Sequence, residues 1–287
     1  MNDSTTRSHA AQTARGERFE FGANWARFLD VLNDERIGRA ESTLRSMLDD
    51  RLDGLTFLDV GSGSGLMSLA ARRAGATVRS FDFDPKSVAC TQVLKERFCT
   101  NDEAWQISEG SILDAAFVAS LERADIVYSW GVLHHTGDLW SALENAAQLV
   151  KPDGRLYVAI YNDQGGNSGR WRIAKRIYNK LPRVLRGPYA IAVMGPRELK
   201  FLLLSTLKGE PQMYFRNIRD YAQTSLRGMS YWHDLIDWLG GYPFEVAKPE
   251  EIFEFCKSRG FTLQAMLTQG GGLGCNEFVF ERHQPPA

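Results

Sequence analysis

Residues 57–65, Phe-Leu-Asp-Val-Gly-Ser-Gly-Ser-Gly, constrain the fold more than any other segment of this 287-residue chain. An apolar run ends at Val60, three glycines follow at alternate positions, and a helical pattern begins at Leu66. Glycine permits a tight turn and a close approach of a ligand to the backbone, and a helix N-terminus favours anionic groups. The segment therefore predicts a buried strand, a ligand-binding turn and a helix.

Strand and helix patterns alternate on both sides of this turn. We predict helices at residues 66–74, 85–98, 138–150 and 249–259, and a turn at Lys151-Pro152-Asp153-Gly154. Strands are predicted at residues 55–60, 77–81, 105–108, 124–130, 155–161, 261–267 and 277–282. The alternation favours an α/β fold in which a doubly wound, mainly parallel seven-stranded sheet carries helices on both faces.

The patterns divide the chain into four regions. Residues 1–52 form an N-terminal tail without clear structure up to residue 20, followed by an amphipathic helical stretch that reaches Leu52. Residues 53–164 form a core, and residues 165–242 are a helical insertion after the fifth strand, without a convincing strand. Residues 243–287 complete the sheet.

Composition argues against several classes of protein. The 34 Lys and Arg residues balance 35 Asp and Glu residues, unlike a protein whose whole surface binds nucleic acid, so we expect no DNA partner. No apolar stretch approaches the about 20 residues of a membrane span, and the first 22 residues lack a secretory core. Four scattered cysteines argue against a disulfide framework or zinc site. We expect a cytoplasmic protein without a bound metal.

Asp82 follows the second predicted strand, 21 residues after Gly61. A carboxylate in this position can accept hydrogen bonds from both hydroxyls of a ribose, and the neighbouring Phe83 can lie against an adenine face. A dinucleotide site would need a glycine where Leu66 stands, so the spacing argues against a nicotinamide-dependent oxidoreductase. A tight turn without a ligand is the structural alternative.

These motifs resemble those of a known family. Asp59-x-Gly61-x-Gly63-x-Gly65, Asp82, the strand at 125–130 and the turn at 151–154 resemble successive motifs of class I S-adenosylmethionine-dependent methyltransferases. Residues 132–135, Val-Leu-His-His, are similar to the ubiquinone-biosynthesis O-methyltransferase group and related small-molecule enzymes. The resemblance covers about residues 54–161 and, more loosely, 248–282. It implies a Rossmann-like fold, S-adenosylmethionine as the cofactor, and a small-molecule acceptor, for which we expect a hydroxyl.

The resemblance also implies a set of cofactor-binding residues. The glycine turn would hold the methionine end of the cofactor, Asp82 the ribose, and Phe83 and Ile112 the adenine, with Trp130 beside the sulfonium. Where relatives carry an acidic residue after the third strand, this chain has Ser111, and Glu109 or Asp114 are the alternatives. The full predicted set is Asp59, Gly61, Ser62, Gly63, Gly65, Asp82, Phe83, Ser111, Ile112, Trp130 and Gly131.

A hydroxyl acceptor must lose a proton, and a base accelerates such a step by about 10²–10⁴-fold. We predict His135, Asp163 and His233 as candidate catalytic residues. His134 and His135 follow the fourth strand, and Asp163 follows the fifth, so both places lie at the carboxyl edge of the sheet. His233 precedes Asp237 by four residues, on one face of a predicted helix. Packing or capping roles remain open for each of them.

Residues 165–221 concentrate positive charge, with twelve Lys or Arg and three Asp or Glu. Seven of the basic residues fall in residues 170–186, where apolar residues recur at helical spacing. Such a helix indicates a membrane surface or an anionic acceptor, either phosphate-bearing or carrier-bound, and a solvated face is the alternative. Glycine pairs at 165–166 and 240–241 bracket the insertion and suggest a hinged lid.

Other functions stay open. Nitrogen or carbon methylation would use the same core, and so would a non-catalytic S-adenosylmethionine-binding sensor or scaffold. A nucleic-acid methyltransferase is disfavoured, because residues 129–132 read Ser-Trp-Gly-Val instead of the Asn/Asp-Pro-Pro-aromatic motif of amino-directed enzymes.

Overall fold

The computed structural model describes residues 8–30, 32–48, 52–224, 230–272 and 274–283. Its centre is a seven-stranded sheet with the order β3-β2-β1-β4-β5-β7-β6. The strands are β1 (Thr56–Val60), β2 (Thr77–Asp82), β3 (Trp105–Glu109), β4 (Ala124–Trp130), β5 (Val150–Tyr161), β6 (Phe261–Leu267) and β7 (Cys275–Arg282).

Helices connect and cover these strands. The helices of the N-terminal region and core are α1 (His9–Ala14), α2 (Gly22–Asp30), α3 (Asp34–Met47), α4 (Leu66–Arg73), α5 (Pro85–Phe98), α6 (Ala115–Ser120) and α7 (Leu139–Gln148). The insertion and the C-terminal region contribute α8 (Gly166–Lys180), α9 (Arg183–Leu207), α10 (Pro211–Thr224), α11 (Tyr231–Gly240) and α12 (Pro249–Lys257). Among the described residues, none of these helices is long and apolar enough to cross a membrane.

Strands β1 to β5 pair with one another in parallel. Strand β7 runs antiparallel to both β5 and β6. The predicted α/β fold with a mainly parallel seven-stranded sheet is confirmed, and its C-terminal hairpin makes the sheet mixed. The strand order reverses between β1 and β4, which are neighbours in the sheet. From β1 the chain continues to β2 and β3 on one side, and it then crosses to β4 on the other side. In sheets of this kind, ligands bind outside the carboxyl ends of the strands at such a reversal.

Each face of the sheet is covered by helices because side chains alternate along a strand. In β1, Phe57 packs on the face that α3, α4 and α5 cover, while Leu58 and Val60 pack with α7 and α12 on the other. Trp105 and Tyr157 are fully buried on the first of these faces. The core thus forms two layers that hold the strand ends rigidly in place.

The insertion contributes α8 to α11, and no strand occurs among its described residues, as the sequence predicts. Helices α8, α9 and α11 pack through a separate apolar cluster that includes Tyr178, Met194, Leu235 and Leu239. The four-region division of the chain itself stays a prediction.

The structure corrects the prediction for the N-terminal region. Part of the tail predicted to lack structure is helix α1, which Ser8 caps through its side chain. The predicted continuous helical stretch up to Leu52 is instead two helices, and Asn33 caps the second by accepting from the Arg36 amide at 3.0 Å.

Two further boundaries differ between β3 and β5. The predicted turn at 151–154 lies inside β5, where the pairing with β4 shifts register and Asp153 has a φ of +59°. The short helix α6 was not predicted. It begins after Asp114, whose side chain accepts hydrogen bonds from the amides of Ala116 and Phe117.

Candidate active site

A cavity of about 310 Å³ opens at the carboxyl ends of the parallel strands, where the strand order reverses. His135 lies in its wall together with all the predicted cofactor residues except Gly65. These predicted residues are Asp59, Gly61, Ser62, Gly63, Asp82, Phe83, Ser111, Ile112, Trp130 and Gly131. The topology therefore brings together side chains that are separated by up to 76 positions in the chain.

The glycine turn after β1 has a backbone that only glycine adopts readily. Gly61, Gly63 and Gly65 have φ values of +83°, +56° and +80°. A Cβ on Gly61 would overlap the side chain of Val132, and one on Gly63 would lie 3.0 Å from the Trp25 ring. Gly65 supports the turn from outside the cavity wall, because a Cβ there would lie 2.9 Å from the Thr91 methyl group.

Asp82 holds this turn to the end of β2. Its Oδ2 accepts from the Gly63 amide at 2.9 Å, and its Oδ1 accepts from the Asp84 amide at 2.8 Å. Burial raises the pKa of Asp82 to about 6, and the two hydrogen bonds and the Arg18 guanidinium limit the rise. The carboxylate is therefore ionised at neutral pH and keeps lone pairs for further donors.

Asp59 lies beneath the turn and is 2% exposed. It accepts from Ser68 Oγ at 2.5 Å, and Ser68 Oγ lies 2.7 Å from Ser80 Oγ. Burial raises the pKa of Asp59 to about 7, although the bond from Ser68 opposes this shift. The network connects β1, α4 and β2 directly behind the cavity.

Phe83, Ser111 and Ile112 lie at the cavity end next to β2 and β3. Ser111 Oγ accepts from the Leu113 amide at 3.2 Å. Neither alternative to Ser111 belongs to the cavity wall: Asp114 caps α6, and Glu109 is exposed on the edge strand. Of the three side chains considered, Ser111 alone is placed to meet a ligand in this cavity.

The N-terminal region supplies a wall that the sequence analysis missed: His9, Arg18, Phe21 and Trp25. Arg18 donates to the carbonyls of His135 and Thr136 at 2.8 and 3.1 Å. Its guanidinium carbon lies 5.1 Å from the centre of the Phe83 ring. The aromatic spacing of Phe19, Phe21 and Trp25 was the available signal, but nothing in it indicated which strands it would cover.

His9 ties helix α1 to the same region. Its Nε2 lies 3.5 Å from Asp84 Oδ2, and its ring meets the edge of Phe83 with the centres 5.5 Å apart. Burial lowers the pKa of His9, while Asp84 opposes the shift. Arg18 is half-buried, and this desolvation lowers its pKa to about 10 against the opposing effect of Asp82.

The two histidines after β4 lie in one 3₁₀ turn but differ in their surroundings. His135 Nδ1 lies 2.6 Å from the Pro243 carbonyl oxygen. Because a carbonyl only accepts, Nδ1 carries the proton, and Nε2 is the basic atom of the neutral ring. His134 is fully buried, its Nδ1 accepts from the Tyr161 amide, and its ring packs 3.9 Å from the Tyr161 ring. These contacts are those of a residue that packs in the core, which was the alternative to a catalytic role for His134.

The other two predicted catalytic residues are Asp163 and His233. Asp163 Oδ1 accepts from the Gly165 amide at 2.9 Å just before α8, and Asp163 is absent from the cavity wall. Its carboxylate is engaged in this turn, and the predicted catalytic role of Asp163 stays a prediction. The backbone of His233 lies in α11, but its side chain falls outside the described residues. Asp237, one turn later, is 4% exposed and lines the cavity.

Lys175 on α8 is fully buried, which the basic pattern of this helix did not predict. Its Nζ donates to the Trp238 carbonyl and lies 4.1 and 4.8 Å from the centres of the Trp238 and Phe244 rings. Burial lowers the pKa of Lys175 to about 7, and the nearby Asp237 opposes this shift. Trp171, Lys175 and Asn179 are spaced four residues apart and share one face of α8. The buried face of this helix therefore contains a lysine.

Comparison with known proteins gives a consistent result. A family model described as a methyltransferase domain matches residues 32–198, more than half of the chain. A ubiquinone biosynthesis O-methyltransferase from Salmonella paratyphi A is 34% identical over 116 residues, which cover 40% of this chain and 46% of that protein. The chain spans about half the length of the curated relatives it matches.

Two solved structures share the fold. The magnesium protoporphyrin IX methyltransferase from Synechocystis PCC 6803, with bound SAH, has a TM-score of 0.50 and 15% identity, covering 86% of this chain and 82% of its own. The 1,6-didemethyltoxoflavin-N1-methyltransferase from Burkholderia thailandensis has a TM-score of 0.50 and 14% identity, covering 99% and 94%.

Proposed function

The chain belongs to the methyltransferase domain family of class I, S-adenosylmethionine-dependent enzymes, and we propose that it methylates a hydroxyl group of a small molecule. The observation that carries this proposal is the single cavity in whose wall the glycine turn, Asp82 and His135 meet. A cofactor held by the first two would present its reactive end toward the third, at the end of β4.

The residues in the cavity fit the cofactor. A Cβ would obstruct the backbone at Gly61 and Gly63, as expected where a ligand and neighbouring side chains approach closely. We assign the methionine end to this turn, the ribose hydroxyls to the ionised Asp82, and the adenine to the space between Phe83 and Ile112. When bound, S-adenosylmethionine supplies a methyl group on a positively charged sulfur, activated for in-line displacement. Trp130 and Gly131 border that end of the cavity.

His135 is the proposed general base. The Pro243 carbonyl fixes the proton on Nδ1, so Nε2 accepts the proton of the acceptor hydroxyl. The helix α11 lies close to the ring: a Cβ on Gly241 would be 3.1 Å from His135 Cε1 and 3.3 Å from the Asp237 carbonyl oxygen. The Asp237 carboxylate in the same cavity favours the imidazolium that forms. We assign Asp237 as a positioning residue.

The cavity wall also contains two arginines from the N-terminal region. Arg36 and Arg39, almost one turn apart on α3, line the cavity, and Glu35 pairs with Arg39 at 2.5 Å. Guanidinium groups match carboxylates and phosphates in geometry. An anionic acceptor, free, phosphate-bearing or carrier-bound, therefore suits this wall.

Oxygen is favoured over nitrogen or carbon by two observations. The Salmonella relative is named as an O-methyltransferase, and it is 34% identical over 116 residues. A hydroxyl also needs a base more than an amine with a free lone pair does, and His135 is placed as one.

Turnover tests this proposal. The purified chain is incubated with [methyl-¹³C]-S-adenosylmethionine and a panel of phenols, catechols and hydroxylated sugars carrying carboxylate or phosphate groups. We expect release of S-adenosylhomocysteine and a ¹³C shift typical of a methyl ether, both dependent on His135. A nitrogen- or carbon-bound methyl group would overturn the oxygen assignment. Binding of S-adenosylhomocysteine without turnover of any acceptor would favour the sensor or scaffold alternative.

A further inference from the structure

The exposed surface of the insertion is unusually apolar. Among the described residues, twelve of the sixteen exposed large apolar side chains lie in this region. On α9, Leu185, Ile191, Leu199, Leu203 and Leu207 are between 49% and 83% exposed. These four leucines and one isoleucine are called the outer leucine face below. Contiguous exposed apolar patches of this kind mark interaction surfaces.

The inner side of α9 has the opposite character. Its buried residues are Ala190, Met194, Glu198 and Ser205, so a carboxylate lies inside while leucines lie outside. Glu198 Oε2 accepts from the hydroxyls of Tyr214 and Tyr231 at 3.1 and 2.6 Å. A helix whose outer face contacts only water normally places its apolar side chains toward the core and its charged side chains toward the solvent. The internal hydrogen bonds fix this orientation, so the leucines cannot turn inward without breaking them.

Positive charge borders the outer leucine face. Arg183, Lys200 and Lys208 on or next to α9 are exposed. Of the three acidic residues in 165–221, Glu198 is buried, Asp220 is half-buried and pairs with Arg219, and Glu210 is exposed. A second copy of this chain would bring the same cations face to face, which is unfavourable. Anionic lipid headgroups complement the cations, and the acyl region beneath them accepts the leucines.

We propose that α9 lies in the plane of an anionic lipid bilayer, with the outer leucine face inserted below the headgroups. The sequence analysis placed the membrane-binding surface on the basic residues 170–186, most of which lie on α8. The proposal instead places this surface on α9. On α8, Lys175 is buried, and Arg172 donates to the Phe244 carbonyl. Arg186, at the start of α9, likewise donates to the carbonyls of Asn179 and Leu181.

Docking in this orientation connects the bilayer to the cavity. Met194 of α9 packs in one cluster with Tyr178 of α8 and with Leu235 and Leu239 of α11. Asp237, between these two leucines, lines the cavity. A membrane-resident anionic acceptor would thus reach the cavity beside the insertion. This last inference rests on the proposed function, whereas docking itself does not require turnover.

Vesicle co-sedimentation of the full chain tests the docking. Phosphatidylcholine vesicles with and without phosphatidylglycerol are compared at low and high salt. The test variant carries Leu199→Ser, Leu203→Ser and Leu207→Ser. The matched control carries Val93→Ser, Met266→Ser and Leu267→Ser, which replace side chains of 50–55% exposure outside the insertion. Binding of S-adenosylhomocysteine by calorimetry reports that each variant is folded, and it is measured without lipid.

We expect the wild-type chain and the control to bind the anionic vesicles, and the triple variant to bind at least about tenfold more weakly. Lys200→Gln with Lys208→Gln should lower the affinity about 10–30-fold, since each cation near an anionic surface contributes about 1 kcal/mol. Equal binding of test and control variants would overturn the proposal. So would a failure of the wild-type chain to bind, or self-association abolished by the triple variant without vesicle binding.

Discussion

The sheet core and the helical insertion place their apolar residues in opposite ways. In the core, helices cover both faces of the sheet, and Phe57, Leu58 and Val127 are fully buried. In the insertion, α9 exposes leucines and buries Glu198. The difference teaches that the core covers its apolar side chains within the chain, whereas α9 leaves several of them exposed, and this exposed face is the one for which we propose a lipid partner. The chemistry that we propose lies between the two regions, where His135 and Asp237 line one cavity.

Matched glycine substitutions give the largest expected difference between the two regions. Gly61 in the core and Gly165 at the start of the insertion both have positive φ. A Cβ would overlap the Val132 side chain at Gly61, whereas it would meet nothing within 4 Å at Gly165. Gly61→Ala should lower the free energy of unfolding by about 2–5 kcal/mol, and Gly165→Ala by about 1–2 kcal/mol. Urea unfolding measures both. Equal losses would mean that the close approach at Gly61 does not contribute to stability.

The next largest effect is expected at His135, on the core side of the cavity. His135→Asn keeps a donor for the Pro243 carbonyl but removes the base, so kcat should fall about 10²–10⁴-fold. The Kd for S-adenosylhomocysteine should remain unchanged, because the cofactor residues are intact. Steady-state kinetics with an acceptor from the panel and calorimetry measure the two quantities. A kcat close to that of the wild type would remove His135 from the mechanism.

Asp237 tests the insertion side of the same cavity. Asp237→Asn removes a charge that interacts with Lys175 and lies in the same cavity wall as His135, so kcat/KM for the acceptor should fall about 10-fold or more. Cofactor affinity should be retained. Asp234→Asn on the same helix is the control, since the Asp234 carboxylate accepts from the Tyr221 hydroxyl. Equal effects of the two substitutions on kcat/KM would show that α11 contributes structure rather than positioning.

The last expected effect depends on pH and concerns the buried lysine of the insertion. Because the pKa of Lys175 is about 7 in the folded chain against 10.5 as its ordinary value, the unfolded chain binds more protons between these pH values. The free energy of unfolding should therefore rise with pH between about 7 and 10, by up to about 1.4 kcal/mol per pH unit. Lys175→Met should abolish this contribution, which urea unfolding at several pH values measures.

Lys180→Met is the control for that series, because Lys180 is exposed on the same helix. It should preserve the wild-type dependence of stability on pH. If Lys175→Met preserves it too, the ammonium group of Lys175 is not desolvated as its burial indicates.

The sequence was sufficient to predict most of the core. Buried parallel strands have continuous apolar runs, and the ends of α5, β4 and β6 agree with the predicted ranges. Backbone-driven features such as the glycine turn were also predictable, because few residues other than glycine adopt positive φ. Asp82 could be placed because it ends a strand next to β1.

The remaining features depend on contacts that local patterns do not encode. Arg18 reaches the cavity because α1 and the segment after it fold back over β2 and β4, which no periodicity indicates. The direction of α9 is decided by two tyrosine hydroxyls from α10 and α11 that bond Glu198. Lys175 resembled a solvated cation by its neighbours in sequence, although aromatic rings from distant segments enclose it.

Calorimetric titration with S-adenosylhomocysteine tests the central claim most directly, namely that the glycine turn and Asp82 together bind the cofactor. The wild-type chain should bind, and Asp82→Asn should raise the Kd about 100-fold, because the ribose loses charge-assisted hydrogen bonds. Asp114→Asn, which alters only the cap of α6, should leave the Kd unchanged. Absence of binding by the wild-type chain, or an unchanged Kd in Asp82→Asn, would contradict the account.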